Sequence, residues 1–247
     1  MGGLAWKYII AWRILYRRLH KAIDFMKKLT GTLLLSVTII CVAMHASTKK
    51  RILFFGDSIT QMGVNNGGYI DILRKYITAR GEQNNYELTG AGIGGNKIYD
   101  LYLRLEEDVL AKKPTHVLIY VGINDVWHKT SGIGTDIKKY EQFYVALIKK
   151  LQQKKIKLFL CTPSVIGEKK AGANPQDADL DAYSEVIRKL AIAYNCTLID
   201  LRKAFVEYEN IHNKNDQESG ILTTDKVHLN GKGNELVAAQ IKVQLFK

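Results

Sequence analysis

Proline is nearly missing: three residues in a chain of 247, beside twenty glycines, exclude collagen-like and Pro-rich disordered architectures. Cysteine is as scarce, three in all, so this is not a small scaffold stapled by disulfides. Leu33–Met44 is an uncharged run of only 12 residues, short of the ~20 that an ordinary transmembrane helix needs. No internal repeat and no low-complexity linker interrupts the chain. The glycine cluster at Gly92–Gly95 is not followed by the Lys-Ser/Thr of a nucleotide-binding P-loop. What is present is ordinary globular usage, 47% hydrophobic and 24% charged. The length allows one domain, two at most, with a substantial core.

The net charge of +12 points first to a polyanion or a membrane surface, but its distribution changes that reading. Residues 1–46 hold Lys7, Arg13, Arg17, Arg18, Lys21, Lys27 and Lys28 against Asp24 alone, a net +6. The body carries the other +6 over mixed signs, and no nucleic-acid partner is expected. Lys27-Lys28, the apolar run Leu33–Met44 and the small residues Ala43, Ala46 and Ser47 together describe a secretory signal peptide. The stretch from Met26 is complete as such a signal, so Met26 is a candidate start. Cleavage is expected after Ala46, although Met44 fits the −3 position poorly. The expectation is a leader at 1–46, one domain at 47–247 and an exported protein. An uncleaved signal anchor is the alternative, with membrane contact through the leader only.

In the body, Ile52–Phe55, Tyr86–Thr89, His116–Val121, Ile156–Leu160 and Thr197–Leu201 are short apolar runs, the pattern of parallel strands covered on both faces. Helical stripes lie between them. Tyr140, Phe143, Tyr144, Leu147, Ile148 and Leu151 form one, and Tyr183, Val186, Ile187, Leu190, Ala191 and Tyr194 another. Ile98, Leu101, Tyr102, Leu105 and Val109 nearly repeat the pattern, and helices are expected over 68–80 and 230–246. The alternation predicts one α/β domain with a parallel sheet of about five strands. Cys161 ends one strand and Cys196 begins the next. In parallel neighbours they lie about four residues, ~13 Å, apart, beyond disulfide reach.

Ligands of such sheets bind beyond the carboxyl ends of the strands. After the first strand comes Gly56-Asp57-Ser58, after the second Gly90–Asn96, and after the third Gly122-Ile123-Asn124-Asp125. Asp225-Lys226-Val227-His228 precedes the last helix. Singly these are ordinary turn and cap chemistry. Together they supply an acyl-transfer site: a serine hydroxyl, a histidine to take its proton, and a carboxylate to fix the imidazole tautomer. An oxyanion also needs hydrogen-bond donors. The backbone amides of Ser58 and Gly95 and the side-chain amide of Asn124 are the candidates.

These four blocks resemble those of the SGNH (GDSL) hydrolase superfamily, over about residues 51–247. The resemblance implies a flavodoxin-like three-layer α/β/α sandwich. It implies Ser58 as nucleophile, His228 as base, Asp225 as its orienter, and Ser58, Gly95 and Asn124 as the oxyanion hole. One position departs from the pattern: Gly90 stands where the glycine block usually opens with Asn. That leaves Gly92 and Gly94 as rivals to Gly95, which block position favours.

Asp57 and Asp125 read as turn acceptors, His116 as packing and His128 as surface or pocket rim. No His, Cys or Asp spacing suggests a metal site, and no cofactor is implied. The segments 62–67 and 164–179 read as loops at the strand ends that set substrate range, and neither is an apolar lid. The expected activity is a serine esterase acting on short acyl groups, acetyl above all, with an acetylated carbohydrate as a candidate substrate. A lysophospholipase or thioesterase is the alternative within the same chemistry. A non-catalytic glycan-binding module is the alternative outside it.

Overall fold

The computed structural model describes residues 12–13, 15–21, 23–30, 49–170 and 172–246. The chain divides into two compact units, Met1–Thr48 and Lys49–Lys247. Of the first, the described residues are helical and exposed. The apolar run Leu33–Met44 and the expected cleavage site lie outside the described residues.

The second unit runs β1 (Lys50–Gly56), α1 (Ser58–Gly63), α2 (Tyr69–Ala79), β2 (Tyr86–Gly92), α3 (Ile98–Leu103), α4 (Leu105–Asp108) and β3 (His116–Tyr120). It continues with α5 (Ile123–Trp127), α6 (Ile137–Gln153), β4 (Lys157–Cys161), α7 (Asp177–Ala193), β5 (Thr197–Ile199), α8 (Leu201–His212) and α9 (Gly231–Leu245). All five strands are parallel, in the order β2-β1-β3-β4-β5. Side chains alternate across a strand. On one face the Phe54 ring meets Tyr69 of α2, and on the other Phe55 lies under the Arg104 guanidinium. Both phenylalanines are fully buried, each contributing roughly 1.5–3 kcal/mol. Helices therefore cover both faces, the three-layer α/β arrangement expected.

The longest helices follow their stripes. Asp136 caps α6 by accepting from the amides of Lys138 and Lys139, and Tyr140, Tyr144, Leu147, Ile148 and Leu151 are buried. In α7 the buried set includes Leu180, Tyr183, Ile187 and Leu190.

Four local features differ from expectation. β2 extends through Gly92, because Phe54, Phe55 and Gly56 of β1 continue the ladder opposite Gly90, Ala91 and Gly92. Gly90 thus lies within the strand, where a Cβ would meet Val64 Cγ1 at 2.4 Å. The third stripe is broken into α3 and α4 at Arg104, whose side chain turns beneath the strand ends. β5 stops at Ile199, and α8 follows with Asp200 as its cap, accepting from Lys203 N at 3.2 Å. Finally, residues 162–168 are buried rather than a free rim.

Cys161 pairs in register with Ile199, three residues from Cys196 rather than four, and both thiols are free. At ~3.3 Å per residue the offset still exceeds disulfide reach.

Candidate active site

β1 is the strand at which the chain order reverses, with β2 on one side and β3 on the other. A crevice forms beyond the carboxyl ends of strands at such a point. Ser58, Gly95 and Asn124 follow β1, β2 and β3 respectively.

Ser58 is the first residue of α1. Asp57 caps this helix by accepting from Ile59 N at 3.0 Å. Burial pushes the Asp57 carboxyl up to about 7. The first amides of a helix have no partner within it, and no described residue accepts from Ser58 N. Asp125, also buried, accepts from Ile98 N at 3.2 Å and so ties the start of α3 to α5. Burial raises its carboxyl to about 6. Both aspartates are the structural acceptors expected.

Ser58 Oγ lies 3.0 Å from His228 Nε2, and His228 Nδ1 lies 2.7 Å from Asp225 Oδ2. These 170 residues of separation close because Thr223 and Leu229 pair as an antiparallel bridge and present the intervening turn. Asp225 Oδ1 accepts from the amides of Val227 and His228, while Thr224 N donates to His228 O at 2.8 Å. Burial alone would raise the Asp225 carboxyl. Its hydrogen bonds to the His228 ring and to these amides outweigh that and hold it below the usual range. The arrangement can pass a proton from a serine hydroxyl to an imidazole held in one tautomer.

Candidate donors for an oxyanion stand beside it. Gly94 N is already engaged with Gln61 Oε1 at 2.8 Å, and Gly92 is part of the β2 ladder. Gly95 N has no acceptor among the described residues, which favours it of the three. Its φ of +76° is a left-handed conformation that glycine adopts without strain. Asn124 is buried, and its Nδ2 donates to Asn96 O at 3.1 Å, leaving its second N–H free to point elsewhere.

Arg104 was not anticipated. Its guanidinium donates to Gly56 O at 2.7 Å, Ala91 O at 3.0 Å and Asp108 Oδ2 at 2.6 Å, and its Nε to Asn96 Oδ1 at 2.7 Å. One side chain thereby fixes the ends of β1 and β2 and the turn after Gly95. Trp127 is another such residue: its ring stands edge-on to His228, centroids 6.5 Å apart. His128 stacks beside Trp127 with a buried Nδ1 that has no partner. Burial, and next the Lys97 charge, lower its basicity. His116, at the start of β3, bonds Thr115 and is driven down to about 4, chiefly by burial. His212 ends α8.

A concavity of about 660 Å³ is lined by Arg51, Leu110, Pro114 and Ile156. Those residues lie at the amino ends of the strands, away from the serine. Among the described residues no group of three His, Cys, Asp or Glu is placed to hold a metal ion.

Comparison with known proteins gives consistent results. The model of the GDSL-like Lipase/Acylhydrolase family matches residues 54–236. The crystal structure of an acetyl xylan esterase, AlAXEase, is 55% identical, covers 79% of this chain and 99% of its own, and superposes with a TM-score of 0.78. An acetylxylan esterase of Geobacillus stearothermophilus is 28% identical over 214 residues, 79% of this chain and 93% of that protein. The crystal structure of Axe2, an acetylxylan esterase from Geobacillus stearothermophilus, is 26% identical over 79% of this chain and 93% of that one, with a TM-score of 0.69. Two further structures of that enzyme are of catalytic mutants, one at a serine and one at a histidine.

Proposed function

The chain belongs to the GDSL-like lipase/acylhydrolase family and is a carboxylic ester hydrolase of that type, and from this premise we propose that it deacetylates a xylan-type carbohydrate. The observation that carries the mechanism is the continuous Ser58–His228–Asp225 relay. The Ser58 Oγ–C bond to the acetyl carbon forms as His228 Nε2 takes the hydroxyl proton. The developing oxyanion is met by the amides of Ser58 and Gly95 and the Asn124 side chain. Collapse breaks the C–O bond to the sugar, and His228 returns the proton to the departing sugar oxygen. Water, deprotonated by the same imidazole, then releases acetate and regenerates Ser58. Asp225 stabilises the imidazolium at each stage.

A bulky alcohol beside the base is supported by the surroundings. The departing oxygen must come within reach of His228 Nε2, which brings the sugar beside Trp127. An indole offers a pyranose an apolar face at modest entropic cost. The acetylxylan esterases among the relatives point the same way. Export is part of the proposal, resting on the basic segment and apolar run of residues 1–46.

The test is acetate release from acetylated xylo-oligosaccharides by the wild type and by Ser58→Ala. Equal rates would overturn the assignment. Initial rates on p-nitrophenyl esters from C2 to C12 are expected to fall with chain length. Preference for the long chains would instead indicate a lysophospholipase or thioesterase.

A further inference from the structure

Gly167 and Glu168 lie between β4 and α7, and neither belongs to the four sequence blocks. Glu168 is fully buried. Its Oε2 accepts from Ile221 N at 2.7 Å, and its Oε1 accepts from Leu222 N at 2.6 Å and from Thr223 N. Three consecutive backbone amides thus converge on one carboxylate. Thr223 is the residue that pairs with Leu229 to close the turn carrying Asp225 and His228. Asn230 N also returns to Leu222 O at 2.9 Å. The carboxylate therefore holds the base of that turn.

The neighbouring residue holds its tip. Gly167 N donates to Lys226 O at 2.8 Å. Gly167 has φ +95°, and a Cβ there would meet Asn174 Oδ1 at 2.3 Å, so glycine alone fits without strain. Glu218 adds an outer tie, pairing with both Lys169 and Lys226.

We infer that Glu168 is a positioning residue, and that the Gly167-Glu168 pair clamps the Asp225–His228 turn at the distance from Ser58 that proton transfer requires. The inference rests on the catalytic reading given above. His228 stands on a turn and Ser58 at the start of α1, and their 3.0 Å contact depends on how that turn is seated. Misplacement of reacting groups by ~1 Å costs on the order of 10²-fold in rate. A buried carboxylate accepting at both oxygens suits this purpose. A carboxamide of the same shape offers one acceptor oxygen and sets its NH₂ against a backbone N–H.

The test compares Glu168→Gln with Glu209→Gln. Glu209 is also buried and has an oxygen with no partner, so it serves as a control for general damage to the interior. With p-nitrophenyl acetate, Glu168→Gln is expected to lose about tenfold or more in kcat, with KM within about twofold and a native circular dichroism spectrum. Glu209→Gln is expected to keep wild-type kcat. Wild-type kcat in Glu168→Gln, or equal losses in the two variants, would overturn the clamp. A second arm needs no substrate: amide hydrogen exchange at residues 221–228 should accelerate in Glu168→Gln, and unchanged exchange there would also overturn it. A wild type that hydrolyses no ester while the exchange arm succeeds would count against the esterase reading alone. If Glu168→Gln does not fold, Glu168→Asp serves. It keeps both acceptor oxygens but withdraws them by one methylene, and the same kcat loss is expected.

Discussion

Asp225 holds His228 by two atoms at once: Oδ2 lies 2.7 Å from the ring Nδ1, and Oδ1 accepts from the His228 backbone amide, also at 2.7 Å. The carboxylate thereby sets both the tautomer of the ring and the backbone from which it projects. A carboxamide keeps one acceptor oxygen and can perform only one of these tasks, because its NH₂ cannot accept. Asp225→Asn is expected to lower kcat by roughly 10²–10⁴. The check is steady-state kinetics on p-nitrophenyl acetate, and a loss smaller than tenfold would argue against this orientation role.

Asn124 offers one amide proton to Asn96 O at 3.1 Å and has one left for the reaction. In the proposed mechanism, Asn124→Ala removes a donor to charge that appears only in the transition state. A fall in kcat of about 10²–10³ with little change in KM is expected. A change confined to KM would place Asn124 in substrate binding instead. Melting temperature should drop modestly as well, since the bond to Asn96 contributes about 1 kcal/mol.

Trp127 stands beside the base, its ring edge-on to that of His228 with centroids 6.5 Å apart. Trp127→Ala should raise KM for acetylated xylo-oligosaccharides by about 3–10-fold, the equivalent of ~0.5–1.5 kcal/mol of aromatic contact. The rise in KM for p-nitrophenyl acetate should be smaller. Equal increases for both substrates would remove Trp127 from the sugar-binding side.

Glu209 supplies a stability prediction. Burial, and then the nearby Glu168 charge, raise its carboxyl to about 8, against the pull of Arg202. The folded state therefore holds this proton more tightly than the unfolded chain does. The stabilisation is full below the ordinary carboxylate range and is lost as pH rises through about 8. Melting temperature is expected to fall between about pH 5 and pH 8.5, since each tenfold difference in proton affinity between the folded and unfolded chain is worth about 1.4 kcal/mol. Asp57 and Asp125 are raised in the same sense, so Glu209→Gln should flatten the slope without abolishing it. A slope identical to that of the wild type would show that Glu209 titrates normally.

Much of this was legible in the chain before any coordinates. The five strands read as apolar runs because a parallel sheet buries both faces, and α6 and α7 read as stripes because each buries one. Ser58, Asn124, Asp225 and His228 stood out because hydroxyl, amide, carboxylate and imidazole groups follow strand ends or precede the last helix, while Gly95 was favoured over Gly92 and Gly94 only by its position in the resembling block.

Other features depended on distant segments meeting. Whether Gly92, Gly94 or Gly95 keeps a free amide depends on Gln61, which takes the amide of Gly94. The break at Arg104 follows from carbonyls at the ends of β1 and β2, and Glu168 from the amides of 221–223. Backbone amides and carbonyls recur at almost every residue, so no local pattern marks the few that a buried side chain will hold. Residue chemistry and periodicity are local properties and can be read from the sequence. The pairing of an arginine or a glutamate with particular backbone groups is set by packing, and the tertiary structure alone decides it.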